Sequence, residues 1–382
     1  MSSSCPSTCA ALAAVTVLGG CGEPQTAREL ATQGLTGIRF LAAAPVDGFR
    51  RATVTRAFSF PADHGAHEGY RNEWWYFTGN LTGTAGNSYG FELTFFKFEL
   101  PVEAEARQSR WATDTIWMAH FALTDVAAAT FIADERLSRA ALGLAGVAQD
   151  PFRVWVEDWS VEGDFAASPG RIRLRAAGAA GAIDLELSGF ERIVLHGEQG
   201  LDRKGPEPGN ASYYYSAPRL SVTGTVRSGD RVPDEVGGLA WMDREWGTSA
   251  LSAGVTGWDW FALQLEDGRD LMLYRMRRAD GSASPFSGGT VVDAAGATRR
   301  LRAEDVELEI AELWQSPTSG VTYPVAWRME VPGEDLELTI RPTLRNQELR
   351  LSVRYWEGAV EVSGRAADDE IRGRGYLELA GY

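Results

Sequence analysis

The chain has 382 residues, 44% of them hydrophobic and 23% charged, a globular composition with length for two domains. Its 52 acidic residues against 37 basic ones give a net charge of −15. That excludes the broad positive surface which duplex nucleic acid or an anionic membrane requires.

Cys5, Cys9 and Cys21 all fall at the start of the chain and no cysteine follows. The remainder can therefore hold no disulfide, no Cys-ligated zinc and no thiol nucleophile. The run 10–20 is small and apolar, too short for a spanning helix and of the right length for the core of a signal peptide. Leu18-Gly19-Gly20-Cys21 is similar to a bacterial lipobox, which implies lipidation at Cys21. Gly22 rather than Asp follows, so the expected address is the cell envelope, at the outer membrane facing the periplasm. The first basic residue is Arg28, so the usual basic start is missing. Residues 1–21 read as signal peptide and 22–57 as a linker rich in Ala, Gly and Thr. No later segment has the uncharged apolar length of a spanning helix, which leaves the lipid as the expected membrane contact.

From Phe58 onward, short aromatic and β-branched runs alternate with Gly, Asp, Asn and Pro turns. The clearest strand candidates are 73–81, 89–98, 115–124, 171–175 and 182–188, then 219–226, 258–265, 271–276, 325–331, 349–355 and 371–379. Helical periodicity is scarce, with 135–145 the best candidate. Several strands are apolar on both faces. In 116–123, Trp117, Ala119, Phe121 and Leu123 alternate with Ile116, Met118, His120 and Ala122. Such a strand needs a core on one side and a second layer or a cavity on the other. The 13 Trp, 16 Phe and 11 Tyr then read as cavity lining as readily as core filling. A faint repeat aligns 74–81 with 258–265. The expected architecture is all-β, with two related antiparallel barrels at 58–228 and 229–382 and a boundary near Gly229, Asp230 and Pro233.

Two clusters could carry chemistry. The first is Asp63-His64 and His67, then Glu73-Trp74-Trp75-Tyr76. Its His-x-x-His plus Glu73 could hold a metal, yet the segment begins as loop, so helical ligand spacing is not assured. A loop fixed over the end of the first barrel is the better expectation, and no metal or cofactor is assigned. The second is Trp241-Met242-Asp243-Arg244-Glu245-Trp246, followed by Trp258-Asp259-Trp260. On a strand Trp241, Asp243 and Glu245 share a face, and a carboxyl group beside indole rings is held toward its neutral form. Asp243, Glu245 and Asp259 are therefore the candidate catalytic acids. An ion network locking a strand corner explains the same residues equally well. Gly86-Asn87-Ser88-Tyr89-Gly90 matches a nucleophile elbow only by letter, since it lies in an expected hairpin turn.

Taken in order, these motifs carry a resemblance. Asp63-His64-x-x-His67, Glu73-Trp74-Trp75-Tyr76, Met118-Ala119-His120, Tyr213-Tyr214-Tyr215-Ser216, Asp243-Arg244-Glu245-Trp246, Gly257-Trp258-Asp259-Trp260 and Gly375-Tyr376-Leu377-Glu378-Leu379 resemble the AttH/carotenoid 1,2-hydratase family over about 58–382. The resemblance implies two tandem lipocalin-like antiparallel β-barrels and cofactor-free hydration of an isoprenoid double bond. It further implies Asp243 as proton donor, Trp258 or Trp260 as the wall facing a carbocation, and Tyr274 as a supporting hydroxyl. Together with Trp75, His120 and Trp246, these are the expected contacts to a hydrophobic small-molecule ligand. A non-catalytic envelope carrier and a secreted hydrolase remain the alternatives.

Overall fold

The computed structural model describes residues 48–101, 109–165, 170–248 and 251–382. Cys5, Cys9, Cys21, the apolar run and most of the expected linker lie outside these residues. Among the described residues the strands form two antiparallel sheets, and no helix is long and apolar enough to cross a membrane.

The first sheet contains β1 (Asn72–Gly83), β2 (Ser88–Glu99), β3 (Thr115–Asp125), β4 (Thr130–Arg139), β5 (Ala145–Gln149), β6 (Phe152–Val156) and β7 (Trp159–Asp164). It continues with β8 (Arg171–Ala177), β9 (Gly181–Ser188), β10 (Val194–Leu195), β11 (Leu201–Arg203), β12 (Ala211–Ser228) and β13 (Asp234–Gly247). The second contains β14 (Val255–Leu265), β15 (Asp270–Arg278), β16 (Gly288–Val292), β17 (Thr298–Arg302) and β18 (Glu307–Gln315). It ends with β19 (Thr322–Val331), β20 (Leu336–Pro342), β21 (Glu348–Arg350), β22 (Arg354–Ala366) and β23 (Asp369–Ala380).

Strand order is β4-β3-β2-β1-β13-β12-β9-β8-β7-β6-β5 in one sheet and β17-β16-β15-β14-β23-β22-β20-β19-β18 in the other. Both follow one plan: a run of hairpins leads away from the first strand, and the last strand returns to pair with its free edge. The repeated segments 74–81 and 258–265 occupy the equivalent strands β1 and β14. Each sheet curls around its own core, so the chain is all-β with two tandem lipocalin-like barrels. Phe77, Phe91, Trp117 and Trp159 fill the first. Phe261, Trp327, Trp356 and Leu377 fill the second, where the rings of Phe261 and Trp327 meet edge to face at 5.5 Å.

A third apolar layer lies between the sheets. Tyr76, Tyr214 and Trp241 of the first sheet pack there against Trp260, Met272 and Tyr376 of the second. The approach is close: a Cβ at Gly90 would stand 2.5 Å from that of Ala359. Asn80 donates to the Gly375 carbonyl at 3.0 Å, and Thr124 donates to Gln347 at 2.6 Å.

Four expectations change. The strand holding Asp243 and Glu245 pairs with β1 and β12, so sheet membership changes between Gly247 and Val255 rather than at 228/229. Gly229, Asp230 and Pro233 make a hairpin turn within one sheet. The helix expected at 135–145 is instead the end of the outermost strand β4 and a turn, where Leu142 and Gly143 take positive φ. The strand expected at 349–355 is interrupted after Arg350. The expected linker already packs on the body before residue 58, since Ala52 is fully buried and Tyr213 donates to the Val54 carbonyl at 2.8 Å.

Candidate functional site

The two-faced strands account for where a ligand can go. Alternate residues of one strand point to opposite faces. On β13, Met242 and Trp246 join the first core. Trp241, Asp243 and Glu245 face the second sheet. On β14, Phe261 and Leu263 fill the second barrel, and Trp258 and Trp260 face the first sheet. The outward faces enclose a cavity of about 190 Å³. Space of about 150 Å³ admits a benzene ring, so this cavity takes a ring or the branched end of a hydrocarbon. It lies between the barrels, on the side of the two-faced strands away from each core.

Its walls are Trp74, Tyr76, Phe96, Phe98 and Met118 from the first sheet and Trp258, Trp260 and Met276 from the second. Polar groups enter from Asp243, Glu245, His120, Lys204, Tyr214, Tyr274, Tyr355, Glu357 and Glu378. Asp243 is the best-organised of these. Its Oδ1 accepts from Trp241 Nε1 at 2.6 Å and from the Ser216 hydroxyl; its Oδ2 accepts from the Tyr214 hydroxyl at 2.5 Å. Trp260 Nε1 in turn donates to Tyr214 at 3.1 Å. Burial outweighs the three donors and pushes the Asp243 carboxyl up to about 7, where it can give or take a proton near neutrality.

Behind Ser216 stands His196, which the sequence reading left without a role. Because Ser216 gives its proton to Asp243, its oxygen accepts from His196 Nε2 at 2.6 Å, and His196 Nδ1 accepts from Thr290 at 2.9 Å. Burial lowers the His196 pKa to about 3, so the ring is neutral. The chain Thr290–His196–Ser216–Asp243 ties the two sheets together behind the acid.

Glu245 accepts from Ser212 at 2.5 Å and lies 3.3 Å from Lys204 Nζ. Burial raises its pKa against the pull of that ammonium. Lys204 also binds Asp202 at 2.7 Å, and Tyr274 donates to the same carboxylate at 2.8 Å. Glu378 accepts from Trp258 Nε1 at 2.9 Å and is pushed up to about 8 by burial, with Asp243 and Glu245 adding like charge. Glu357 and Glu92 are likewise raised well above the ordinary range, first by burial and then by neighbouring carboxylates. These glutamates were legible only as charges within otherwise apolar strands.

Three expected site residues lie elsewhere. Asp259 points into the second barrel, where Arg277 donates at 2.7 Å and Tyr382 at 2.6 Å, with Arg275 at 3.7 Å. Arg277 is its counterion, so the group belongs to an ion network, the alternative reading of this cluster. Asp259→Asn is expected to lower the denaturation midpoint, because the buried Arg277 and the half-buried Arg275 lose a charge partner, while ligand binding in the cavity stays unchanged. Urea titration and ligand titration of the same variant check both halves.

Trp75 is buried in the first core, its indole under Arg244 at 3.9 Å and donating to the His64 carbonyl at 2.9 Å. Trp246 stacks on His67 at 3.6 Å. Neither lines the cavity, because each lies on the inward face of its strand.

The first cluster closes the end of the first barrel. His67 bridges Glu73 at 2.7 Å and Asp63 at 3.0 Å, and Arg244 meets Glu73 at 2.7 Å. His64 turns away to Tyr215 at 2.7 Å. The two histidines therefore do not converge on one point. Among the described residues no group of three or more His, Cys, Asp or Glu side chains is placed to hold a metal.

Comparison with known proteins finds a family model described as AttH-like that matches residues 51–382. A crystal structure described as an AttH protein from Nitrosomonas europaea is 34% identical with a TM-score of 0.77, over 87% of this chain and 100% of that one. Kievitone hydratase from Nectria haematococca shares the fold at 15% identity and a TM-score of 0.66, over 88% of this chain and 98% of that one. Among curated relatives, dehydratase asqC of Emericella nidulans is 25% identical over 206 residues, 51% of this chain and 57% of the relative. Kievitone hydratase of Fusarium solani subsp. phaseoli is 21% identical over 213 residues, 51% and 56% of the two chains. The chain spans little more than half the length of the curated relatives it matches.

Proposed function

The chain belongs to the AttH-like family, and from that premise we propose that it adds water to, or removes it from, a hydrophobic small molecule. The observation that carries the reading is Asp243: a buried carboxyl with a pKa of about 7 on the wall of an aromatic cavity. In the hydration direction Asp243 gives its proton to an alkene carbon. The cation that forms lies against the π faces of Trp258 and Trp260, which attract positive charge, and water captures it. Dehydration is the same path reversed. The hydratase and dehydratase names of the curated relatives fit this chemistry, and no step of it needs a cofactor.

The test uses a small isoprenoid alcohol, linalool, in isotope-labelled water. Reversible loss and return of the hydroxyl group exchanges its oxygen with the solvent, and mass spectrometry reads the exchange. Exchange well above that of heat-denatured protein supports the reading; recovery of unlabelled alcohol contradicts it. A second reading, a carrier that binds its ligand unchanged, draws on the three donors already engaged by Asp243. It predicts saturable binding of linalool with no exchange.

Export and lipidation at Cys21 belong to the same proposal. The mass of protein purified from the membrane fraction of its own host should show a lipid-modified cysteine at the N-terminus. An unmodified chain in the soluble fraction would contradict it.

A further inference from the structure

Hydration needs a group that takes the proton from the attacking water as well as one that supplies a proton to the alkene. The following inference rests on the hydration reading. His120 in β3 is fully buried and faces the cavity. Its Nδ1 lies 2.5 Å from the hydroxyl of Tyr355, a cavity residue on β22 of the other sheet. Its Nε2 lies 3.0 Å from Glu135 Oε2 on the adjacent strand β4, directly across the ladder. Ser352 donates to the same carboxylate oxygen.

This arrangement fixes the tautomer. Burial alone would raise the Glu135 pKa, but the donors His120 and Ser352 outweigh it and hold the carboxyl below its ordinary range. An ionised carboxylate only accepts, so Nε2 carries a proton, and in the neutral form of the imidazole the Nδ1 lone pair faces Tyr355. The phenol therefore donates to His120. The His120 ring is held between the edge of Phe96 at 5.4 Å and the stacked ring of Tyr355 at 5.6 Å. The Glu135 side chain is 20% exposed, so the far end of the relay reaches solvent.

We propose that Tyr355, His120 and Glu135 form the proton-accepting arm of the site, distinct from the proton-donating Asp243. As the water oxygen bonds to the cationic carbon, its proton passes to the Tyr355 oxygen while the Tyr355 proton moves to His120 Nδ1. The imidazolium so formed is balanced by the Glu135 carboxylate. The site resets when His120 releases a proton to solvent and Asp243 regains one. Tyr355 is the group that touches the reacting water; His120 and Glu135 act through it. The logic is that of a carboxylate–imidazole–hydroxyl triad, with a phenol in the hydroxyl position.

Two measurements test this. In the nitrogen NMR spectrum of the histidines, His120 should be the Nε2–H tautomer, and Tyr355→Phe should shift its Nδ1 signal while leaving Nε2 in place. A His120 protonated on Nδ1 alone would overturn the relay whatever the substrate. In the linalool exchange assay, Tyr355→Phe and Glu135→Gln should each lower kcat about 100-fold with KM within about 3-fold. Exchange equal to wild type in both variants would overturn the relay and leave the hydration reading intact. If the wild-type protein gives no exchange, the hydration reading falls with this proton-accepting role, and the NMR spectrum then decides only whether the hydrogen-bonded relay exists.

Discussion

Asp243→Asn is expected to slow oxygen exchange about 100-fold or more while the circular dichroism of the sheets is retained, because a positioned general acid contributes about that much. The carboxamide keeps one oxygen for Ser216 and Trp241, and the Tyr214 hydroxyl can turn to accept from its nitrogen. The variant therefore loses the transferable proton and little else. The same residue sets a pH dependence. Only the protonated form donates, so the acid-dependent rate should fall as pH rises through about 7. The stability effect has a definite sign. The unfolded carboxyl ionises near 3.8 and the folded one near 7, so between these values the folded state holds the extra proton. The contribution of Asp243 to stability is complete below 3.8 and is lost as pH climbs to 7. Urea midpoints of wild type and Asp243→Asn should diverge across that window. A difference independent of pH would mean that Asp243 is ionised throughout.

The largest structural loss is expected at Arg244. This guanidinium is fully buried, pairs with Glu73 at 2.7 Å, and donates to the carbonyls of Trp74 and Gly65 at 2.6 Å each. Glu73 is held below its ordinary pKa despite complete burial, with Arg244 the strongest of the charges and donors that oppose the cost of burial. Arg244→Ala leaves that carboxylate short of its main partner and takes one hydrogen bond from each of two carbonyls. The expected cost is about 3–5 kcal/mol by chemical denaturation. Adding Glu73→Gln should restore part of it, since the stranded charge goes with the substitution. A single-variant cost near that of a surface pair, under about 1 kcal/mol, would contradict this account of the barrel end.

Much of the architecture was legible because the evidence for it is local. Aromatic runs between Gly and Asp turns mark strands, and the apolar residues on both faces of 116–123 required a second layer. The period of two also placed Trp241, Asp243 and Glu245 on a common face, as the structure has them. What local patterning does not carry is which face meets which sheet. Asp259 and Trp258 are neighbours in sequence and lie on opposite sides of β14, so a cluster dense in the chain splits into one cavity wall and one buried ion pair. Trp75 and Trp246 were grouped with the site for the same reason, although the pleat turns both inward. His196, just after β10, and Tyr355 and Glu378, on β22 and β23, reach the site from far along the chain; of the three only Glu378 stands out locally, as a charge inside an apolar strand. The domain boundary was misplaced because a hairpin turn and a linker share the same Gly, Asp and Pro composition.

The central claim is that a cationic carbon forms in the space between the barrels, beside Asp243 and against Trp258 and Trp260. A crystal structure of the protein with a tertiary-ammonium analogue of linalool tests it most directly. The ammonium should sit between the two sheets, over the indole faces of Trp258 and Trp260 and with Asp243 the nearest proton donor. An analogue bound inside either barrel, or on the outer surface with the cavity empty, would contradict the claim.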